Sequence, residues 1–251
     1  MSPENQSISI SVKADRLAFG DTLLFENIEF DLPAGAWTCL LGPSGVGKTT
    51  LLRLIANLVP DVENISITCS DDKPLANLTA YMAQQDLLMP WLSVLENVLL
   101  GAKLRAQIAD TSKACDLLTR VGLADNINDL PNKLSGGMRQ RVALARTLME
   151  DRPIVLMDEP FSNLDAISRI RMQDMAAELL EGRTVLLVTH DPMEALRLGD
   201  NIHVLSGRPV KLDTALTPRG TRPRDLHDPD VLTGQADLLE RLTSADQLGM
   251  S

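Results

Sequence analysis

A glycine-rich segment at residues 42–49 has the composition and spacing of a loop that holds phosphate groups. It reads Gly-Pro-Ser-Gly-Val-Gly-Lys-Thr and fits the pattern G-x-x-x-x-G-K-[ST]. In such a loop the backbone N–H groups surround a phosphate, the lysine reaches the β- and γ-phosphates, and the last hydroxyl ligates Mg²⁺. The segment therefore predicts binding of a nucleoside triphosphate. The predicted phosphate-binding residues are Gly42, Pro43, Ser44, Gly45, Val46, Gly47, Lys48, Thr49 and Thr50.

Two adjacent carboxylates, Asp158 and Glu159, come directly after an apolar run at residues 154–157. Such a run predicts a buried strand, so both side chains would emerge at the end of that strand. Asp158 could hold a metal ion there, and Glu159 would face the position of an attacking water. The alternative is that the pair merely caps the end of the strand.

A third motif, Leu-Ser-Gly-Gly-Met-Arg-Gln, occupies residues 134–140 and contains a Ser-Gly-Gly turn that opens a helix. In their order and spacing the three motifs resemble those of the ATP-binding cassette (ABC) ATPases, over about residues 12–223. The resemblance implies hydrolysis of ATP with Mg²⁺ by two copies of the chain that pack head to tail. Each signature turn would then close over the ATP of the other copy, with the helix N-terminus facing the γ-phosphate. The residues of this motif predicted to bind nucleotide are Ser135, Gly136, Gly137 and Gln140.

The resemblance also assigns roles within the catalytic centre. Glu159 matches the general base or water-polarising residue, and Asp158 matches the carboxylate linked to Mg²⁺. His190 matches a switch histidine that contacts the γ-phosphate. Gln84 matches the glutamine that senses Mg²⁺ and the γ-phosphate, with Gln85 as a competing assignment. The implied catalytic residues are Lys48, Gln84, Glu159 and His190, and the implied metal-site residues are Thr49, Gln84 and Asp158.

Two further positions follow from the resemblance. Phe19 lies where the family places an aromatic ring that stacks on adenine, although packing in the core is the alternative. Residues 162–165 read Ser-Asn-Leu-Asp and match the D-loop, which joins the two nucleotide sites across the dimer. Asn163 departs there from the commoner alanine, which leaves open a difference in how the two sites communicate.

The elements that must position these motifs alternate between strand and helix. Strands are predicted at residues 37–41, 154–157, 185–188 and 202–205, and helical periods at residues 50–58 and 167–180. This alternation predicts an α/β fold, a P-loop NTPase with a mainly parallel sheet flanked by helices. The stretch from about 86 to 151 lacks strand runs and predicts an inserted α-helical subdomain. The resemblance adds a small antiparallel β portion.

The domain organisation predicted from these patterns is one ABC ATPase domain at residues 1–224 and a C-terminal helical tail at residues 225–251. Asp228-Pro229 provides a helix cap with proline in the first turn. The apolar residues expected on one side of this helix are Val231, Leu232, Leu238, Leu239 and Leu242.

The composition excludes some classes of partner. With 24 basic and 34 acidic residues the net charge is −10, which argues against a protein that binds nucleic acid. No apolar stretch approaches the roughly 18 to 20 residues of a membrane-spanning helix, and the polar N-terminus lacks a signal-peptide core. We therefore expect a soluble chain that stays inside the cell. The three cysteines are expected to be reduced structural thiols.

A cassette without a membrane span must obtain its transport pathway from other chains. The segment at residues 87–98 and the tail rich in arginine and proline resemble the importers that serve nitrate, sulfonates, taurine and pyrimidine precursors of thiamine. The resemblance implies integral membrane permease subunits, a periplasmic substrate-binding protein, and attachment of the chain to the cytoplasmic face of the membrane through the permease. The alternative is a non-transport ABC ATPase such as a cluster-assembly scaffold.

Overall fold

The computed structural model describes residues 7–19, 22–59, 65–71, 74–75 and 78–249, which form two β-sheets and the helices around them. The strands in chain order are β1 Ile10–Phe19, β2 Thr22–Leu32, β3 Trp37–Leu41, β4 Ile65–Cys69, β5 Thr79–Met82, β6 Ile154–Asp158, β7 Thr184–Thr189, β8 Asn201–Ser206 and β9 Lys211–Leu212. The larger sheet has the order β5-β6-β7-β3-β8-β9, and the smaller has the order β2-β1-β4.

The larger sheet is parallel from β5 to β8, and only its edge strand β9 runs antiparallel. All residues of β3, β6 and β7 are buried, as expected for parallel strands that are covered on both faces. Successive side chains point to opposite faces. Leu40 and Leu156 therefore join the core beneath the smaller sheet, while Cys39 and Val155 join the core on the helical side. The predicted α/β fold with a mainly parallel sheet is confirmed.

Helices flank the larger sheet and fill the predicted insertion. They are α1 Lys48–Ile55, α2 Val94–Val98, α3 Leu100–Leu104, α4 Thr111–Arg120, α5 Gly136–Met149, α6 Ala166–Leu179, α7 Pro192–Leu198 and α8 Pro229–Gly249. Helices α2 to α5 lie between β5 and β6 in the sequence, together with 3₁₀ turns at Ala124–Asn126 and Pro131–Lys133. Helix α2 begins with a capping box in which Ser93 and Glu96 exchange hydrogen bonds.

The smaller sheet is the antiparallel portion that the resemblance implied. Strand β1 pairs antiparallel with both β2 and β4, and a register shift interrupts its pairing with β2 at Leu17/Ala18. Phe25 of β2 is fully buried in the core between the two sheets. The Phe25 ring lies against Gly47 of the phosphate loop. A Cβ added at Gly47 would be 3.2 Å from this ring. The smaller sheet thus supports the phosphate loop from behind.

Two details of the helices differ from the sequence-based predictions. Helix α1 ends at Ile55 rather than at Leu58, because Asn57 adopts a left-handed conformation with φ 55°. Leu58 is consequently exposed instead of joining the core. Among the side chains of α8 that the structure describes, Val231, Leu238 and Ala245 are buried, and Leu242 is partly buried against the same core. Leu232 and Leu239 are exposed instead, so the apolar face of α8 is narrower than predicted.

In the described ranges, no helix is long and apolar enough to cross a membrane. The three cysteines carry free thiols. Burial raises the pKa of the Cys39 thiol well above its ordinary value, so this residue serves as a neutral core side chain.

Candidate functional site

The predicted functional residues meet at one edge of the larger sheet. Strands β5, β6, β7 and β3 are adjacent and parallel, so their carboxyl ends open on the same side. The phosphate loop at residues 42–49 follows β3, and Gln84 lies just beyond β5. Asp158 ends β6 with Glu159 next to it, and His190 directly follows β7. In open α/β sheets, ligands bind in the crevice at this edge.

The backbone of the phosphate loop depends on glycine at two positions where the chain turns sharply. Gly45 and Gly47 have φ values of 81° and 111°, a region that side chains with a Cβ rarely adopt. Gly47 is also the N-cap of α1, which directs the first N–H groups of that helix toward the space in front of the loop. The loop therefore fits a phosphate group, because the first N–H groups of a helix are positively polarised and the space beside Gly45 is open to 4 Å.

Lys48 lies inside this loop, and only 4% of its surface is exposed. Its Nζ donates hydrogen bonds to the carbonyl oxygens of Gly42 at 2.7 Å and Pro43 at 2.9 Å. Burial lowers the pKa of Lys48, while the nearby carboxylates of Glu159 and Asp158 oppose that change. The ammonium group is thus held at the mouth of the loop, where phosphate oxygens could replace the two carbonyl groups.

A hydroxyl and a carboxylate stand side by side next to the loop. Thr49 Oγ1 donates to Asp158 Oδ1 at 2.8 Å, and the other oxygen of Asp158 accepts from the Tyr81 hydroxyl at 3.1 Å. Mg²⁺ prefers a few such oxygen ligands together with phosphates and water. In the part of the chain that the structure describes, no group of three or more His, Cys, Asp or Glu residues could hold a metal. Thr49 Oγ1 and Asp158 Oδ1 are oxygen atoms of the kind that Mg²⁺ takes as ligands beside phosphates and water.

Tyr81 was not among the residues predicted from the sequence. It lies in β5, whose pairing with β6 sets Tyr81 opposite Leu156 and brings its hydroxyl to Asp158. Burial, followed by the charge of Asp158, raises the pKa of Tyr81 to about 12. The phenol therefore stays neutral and donates to the carboxylate. No local pattern could have indicated this contact, because it depends on which strand lies beside β6.

Three side chains from separate parts of the chain converge on Glu159. Gln84 Nε2 donates to Glu159 Oε2 at 3.3 Å, and His190 Nδ1 lies 3.0 Å from the same oxygen. Lys48 Nζ lies 3.8 Å from Glu159 Oε1. All four predicted catalytic residues are thus brought together. Gln84, and not Gln85, is the glutamine bonded to this carboxylate.

The backbone of Glu159 is in an unusual conformation. Its φ is 44°, in the left-handed region, while its N–H still donates to Val188 O of β7 at 2.9 Å. Such a conformation costs about 1–3 kcal/mol for a residue other than glycine, and it is concentrated at functional sites. The turn directs the Glu159 side chain away from the strand and toward the phosphate loop.

The signature turn, residues 135–137, lies at the start of α5. The Ser135 hydroxyl caps this helix by accepting from Met138 N at 3.2 Å, and Ser135 and Gly136 are exposed. Gln140 differs from its predicted role, because its side chain is buried and donates to the carbonyl oxygen of Pro160 at 2.6 Å. One turn into the helix, Gln140 faces its own subunit. It holds α5 against the segment after Glu159 instead of facing a nucleotide.

The D-loop, residues 162–165, is tied to both sides of the site. Ser162 Oγ donates to the carbonyl oxygen of Glu159 at 3.0 Å, and Asp165 caps α6. Arg169 of α6 donates to Leu164 O at 3.2 Å and to Asp191 Oδ2 at 3.1 Å, next to His190. Arg169 was not singled out from the sequence. It connects the D-loop with the segment that carries His190.

The predicted adenine-stacking residue, Phe19, is the last residue of β1, where its backbone is paired with Thr22. Its side chain lies outside the described part of the structure.

Comparison with known proteins identifies the family. The family model described as ABC transporter matches residues 25–162. A Haemophilus influenzae protein named "Uncharacterized ABC transporter ATP-binding protein" is 46% identical over 231 residues, which is 90% of this chain and 95% of that protein. The "Aliphatic sulfonates import ATP-binding protein SsuB 1" of Rhodococcus jostii is 40% identical over 230 residues, or 91% of each chain.

Solved structures that are similar to this chain are also ATP-binding cassettes. A dimeric structure of the ATP-binding cassette MJ0796 bound to ADP and Pi is similar with a TM-score of 0.70 and 29% identity. The similarity covers 84% of this chain and all of that one. The range of the family model includes the phosphate loop, the signature turn and the Asp158-Glu159 pair. The chain therefore belongs to the ABC transporter family, as one of its ATP-binding cassettes.

Proposed function

We propose that the chain is the ATP-hydrolysing subunit of an ABC importer, with a catalytic centre built around Glu159. The observation that carries the assignment is the convergence of Lys48, Gln84 and His190 on the Glu159 carboxylate, beside the oxygen pair of Thr49 and Asp158. This arrangement places three groups together: Lys48 to bind phosphate, Thr49 with Asp158 to bind a metal ion, and Glu159 to accept a proton from water. The relatives named as import proteins favour this function over a non-transport ATPase.

In the proposed reaction a water oxygen attacks the γ-phosphorus, the bond to the β-phosphate oxygen breaks, and ADP leaves. Glu159 accepts the proton of the attacking water. Gln84 and His190 hold the Glu159 carboxylate in place, and Lys48 exchanges its two loop carbonyls for phosphate oxygens. Thr49, Gln84 and Asp158 would hold Mg²⁺, and the ion would supply positive charge that offsets the charge of the phosphates.

The site is proposed to be completed by a second copy of the chain. Ser135 and Gly136 are exposed at the N-terminus of α5, a position suited to a phosphate group. The phosphate loop of one copy would face the signature turn of the other, as the head-to-tail arrangement of the family implies. The cassette named in the solved structures is itself dimeric.

We further propose that permease subunits dock beside Gln84. A groove of about 380 Å³ lies between β5 and the helices α3 and α5. Its lining includes Leu87 and Leu104, which are 53% and 78% exposed. An apolar groove with such exposed side chains fits a short amphipathic helix of a partner. Through this contact the chain would lie peripherally on the cytoplasmic face of the membrane.

The docking groove can be tested by crosslinking. In a Cys115→Ser background, which removes the partly exposed native thiol, Leu104→Cys is expected to form a crosslink with the permease subunits when the complex is assembled. Leu232→Cys is the matched control, because it also replaces an exposed leucine, on α8. Mass spectrometry identifies the linked residues. Crosslinks from Leu232→Cys together with none from Leu104→Cys would contradict this docking surface.

The transported substrate is proposed to be an aliphatic sulfonate, taken up with the help of a periplasmic binding protein. This proposal rests on the printed names of relatives that are about 40% identical over most of the chain. It is tested by deleting the gene for the chain and measuring both uptake of a labelled alkanesulfonate and growth on that compound as the sulfur source. Normal uptake in the deletion strain would exclude this substrate class, while the ATPase assignment would stand.

The adenine contact is proposed to come from Phe19. Phe19→Ala is expected to weaken ATP binding by about 1–3 kcal/mol, the range for base stacking, or roughly 5- to 150-fold in Kd. Phe19→Tyr keeps the ring and should retain the affinity. Isothermal titration with ATP measures both variants. An unchanged affinity of the alanine variant would place Phe19 in the core instead.

A further inference from the structure

One arginine of α5 contacts both the segment that follows Gln84 and the residue before the signature turn. Arg139 Nε donates to Asp86 Oδ2 at 3.0 Å, two residues after Gln84. Arg139 Nη1 donates to the carbonyl oxygen of Leu134 at 2.9 Å, and Ser135 is the next residue. A single planar guanidinium therefore spans the distance between the two motifs.

A second arginine on the same helix fixes the backbone of that segment. Arg146 Nη2 donates to the carbonyl oxygen of Asp86 at 2.6 Å, and Arg146 Nη1 donates to that of Leu87 at 2.9 Å. Arg146 follows Arg139 by two helical turns, so both side chains lie on one face of α5. Because Arg146 anchors the segment through its backbone, removing Arg139 alone should leave the segment attached to α5.

The ion pair of Arg139 and Asp86 can pass a displacement of the Gln84 segment to the signature turn, and it contributes little to the stability of the fold. Its side chains are 37% and 29% exposed. Partly exposed pairs contribute little to stability because solvent screens them. Gln84 is held by the Glu159 carboxylate on the other side of this segment. A shift of Gln84 on nucleotide binding would thus reach Leu134 and Ser135 through Asp86 and Arg139.

We propose that Arg139 is a positioning residue that couples nucleotide occupancy, sensed by Gln84, to the orientation of the signature turn. The inference rests on the proposed function, in which each signature turn completes the nucleotide site of the other copy. ATP bound at the phosphate loop of one copy then orients the signature turn of that copy, which contacts the ATP bound to the other copy. The pair would make the two sites cooperative without contacting a nucleotide.

The test uses the full chain with Glu159→Gln, in which the closed dimer is expected to accumulate. Adding Arg139→Gln should weaken ATP-dependent dimerisation at least about fivefold, the lower end of typical couplings between sites. The Kd of the monomer for ATP and the melting temperature should stay unchanged. Asp86→Asn should have the same effect, and the double variant should be no worse than either single variant. Arg141→Gln, on the same helix, is the charge-matched control and should dimerise normally.

Steady-state kinetics in the chain that retains Glu159 provide a second readout. Arg139→Gln should lower kcat and bring the Hill coefficient for ATP toward about one, whereas Arg139→Lys should restore part of the cooperativity. Additive effects of Arg139→Gln and Asp86→Asn, or a fall in melting temperature or monomer affinity of the same size, would overturn the coupling role. Failure of the Glu159→Gln chain itself to dimerise would instead refute the shared site on which the inference rests.

Discussion

Replacing Glu159 with glutamine is expected to leave ATP binding intact and to slow hydrolysis by at least about 10²–10⁴-fold, the usual contribution of a positioned general base. The amide keeps the shape of the side chain and its hydrogen bonds to Gln84 and His190, but it cannot accept a proton from water. The ATP-bound closed state should therefore accumulate. Each ATP would be held between Lys48 of one copy and Ser135 of the other.

Size-exclusion chromatography with light scattering distinguishes the outcomes of this experiment. The Glu159→Gln chain should be dimeric with ATP and monomeric with ADP, which lacks the γ-phosphate. Adding Ser135→Arg should abolish the dimer, because a bulky side chain fills the space that faces the phosphate. Ser244→Arg, at another exposed serine, is the control and should dimerise. An oligomeric state that is independent of ATP, or a dimer that survives Ser135→Arg, would refute the shared site.

Lys48→Ala is expected to reduce ATP turnover by about 10²–10³-fold, because it removes a preorganised cation from the developing charge on the phosphates. The structure adds a second consequence. Without the ammonium group, the carbonyl oxygens of Gly42 and Pro43 lose a hydrogen-bond donor in a buried loop. Some loss of stability is therefore expected together with the loss of activity.

Phosphate release measures turnover in this variant, and circular dichroism with thermal melting measures the fold. Lys13→Ala is the matched control, since Lys13 is an exposed lysine paired with Glu29 on the smaller sheet. The control should keep full activity. If the Lys48→Ala chain hydrolyses ATP as fast as the unmodified chain, the assignment of residues 42–49 as the phosphate loop is wrong.

Local signals were enough to predict the centre of the site and the class of the fold. The phosphate loop, Asp158 and Glu159 each follow a short apolar run, and β3 and β6 form where those runs predict strands. Turn glycines and buried strands depend on neighbouring residues, so their signals lie within a few positions in the sequence. The predicted end of α1 at Leu58 was wrong, because the end of a helix depends on the conformation of a single residue, here Asn57.

The prediction that Gln84 and His190 belong to the site came only from the resemblance to a family. They lie 75 and 31 residues from Glu159 in the sequence, and the strand order β5-β6-β7 brings both to the same carboxylate oxygen. Gln140 shows the opposite case. Its motif suggested a nucleotide contact, whereas packing of α5 turns its side chain inward to Pro160. The face that a helical residue presents is set by what the helix packs against.

The sequence by itself therefore determined the residue types of the catalytic centre, the alternation of strands and helices, and the family. Only the tertiary structure decided which oxygen of Glu159 is shared by Gln84 and His190, that Tyr81 donates to Asp158, and that Arg139 joins two motifs. The physical reason is that hydrogen bonds act over about 3 Å. Strand order and helix packing, which no local pattern encodes, decide which distant residues come within that distance.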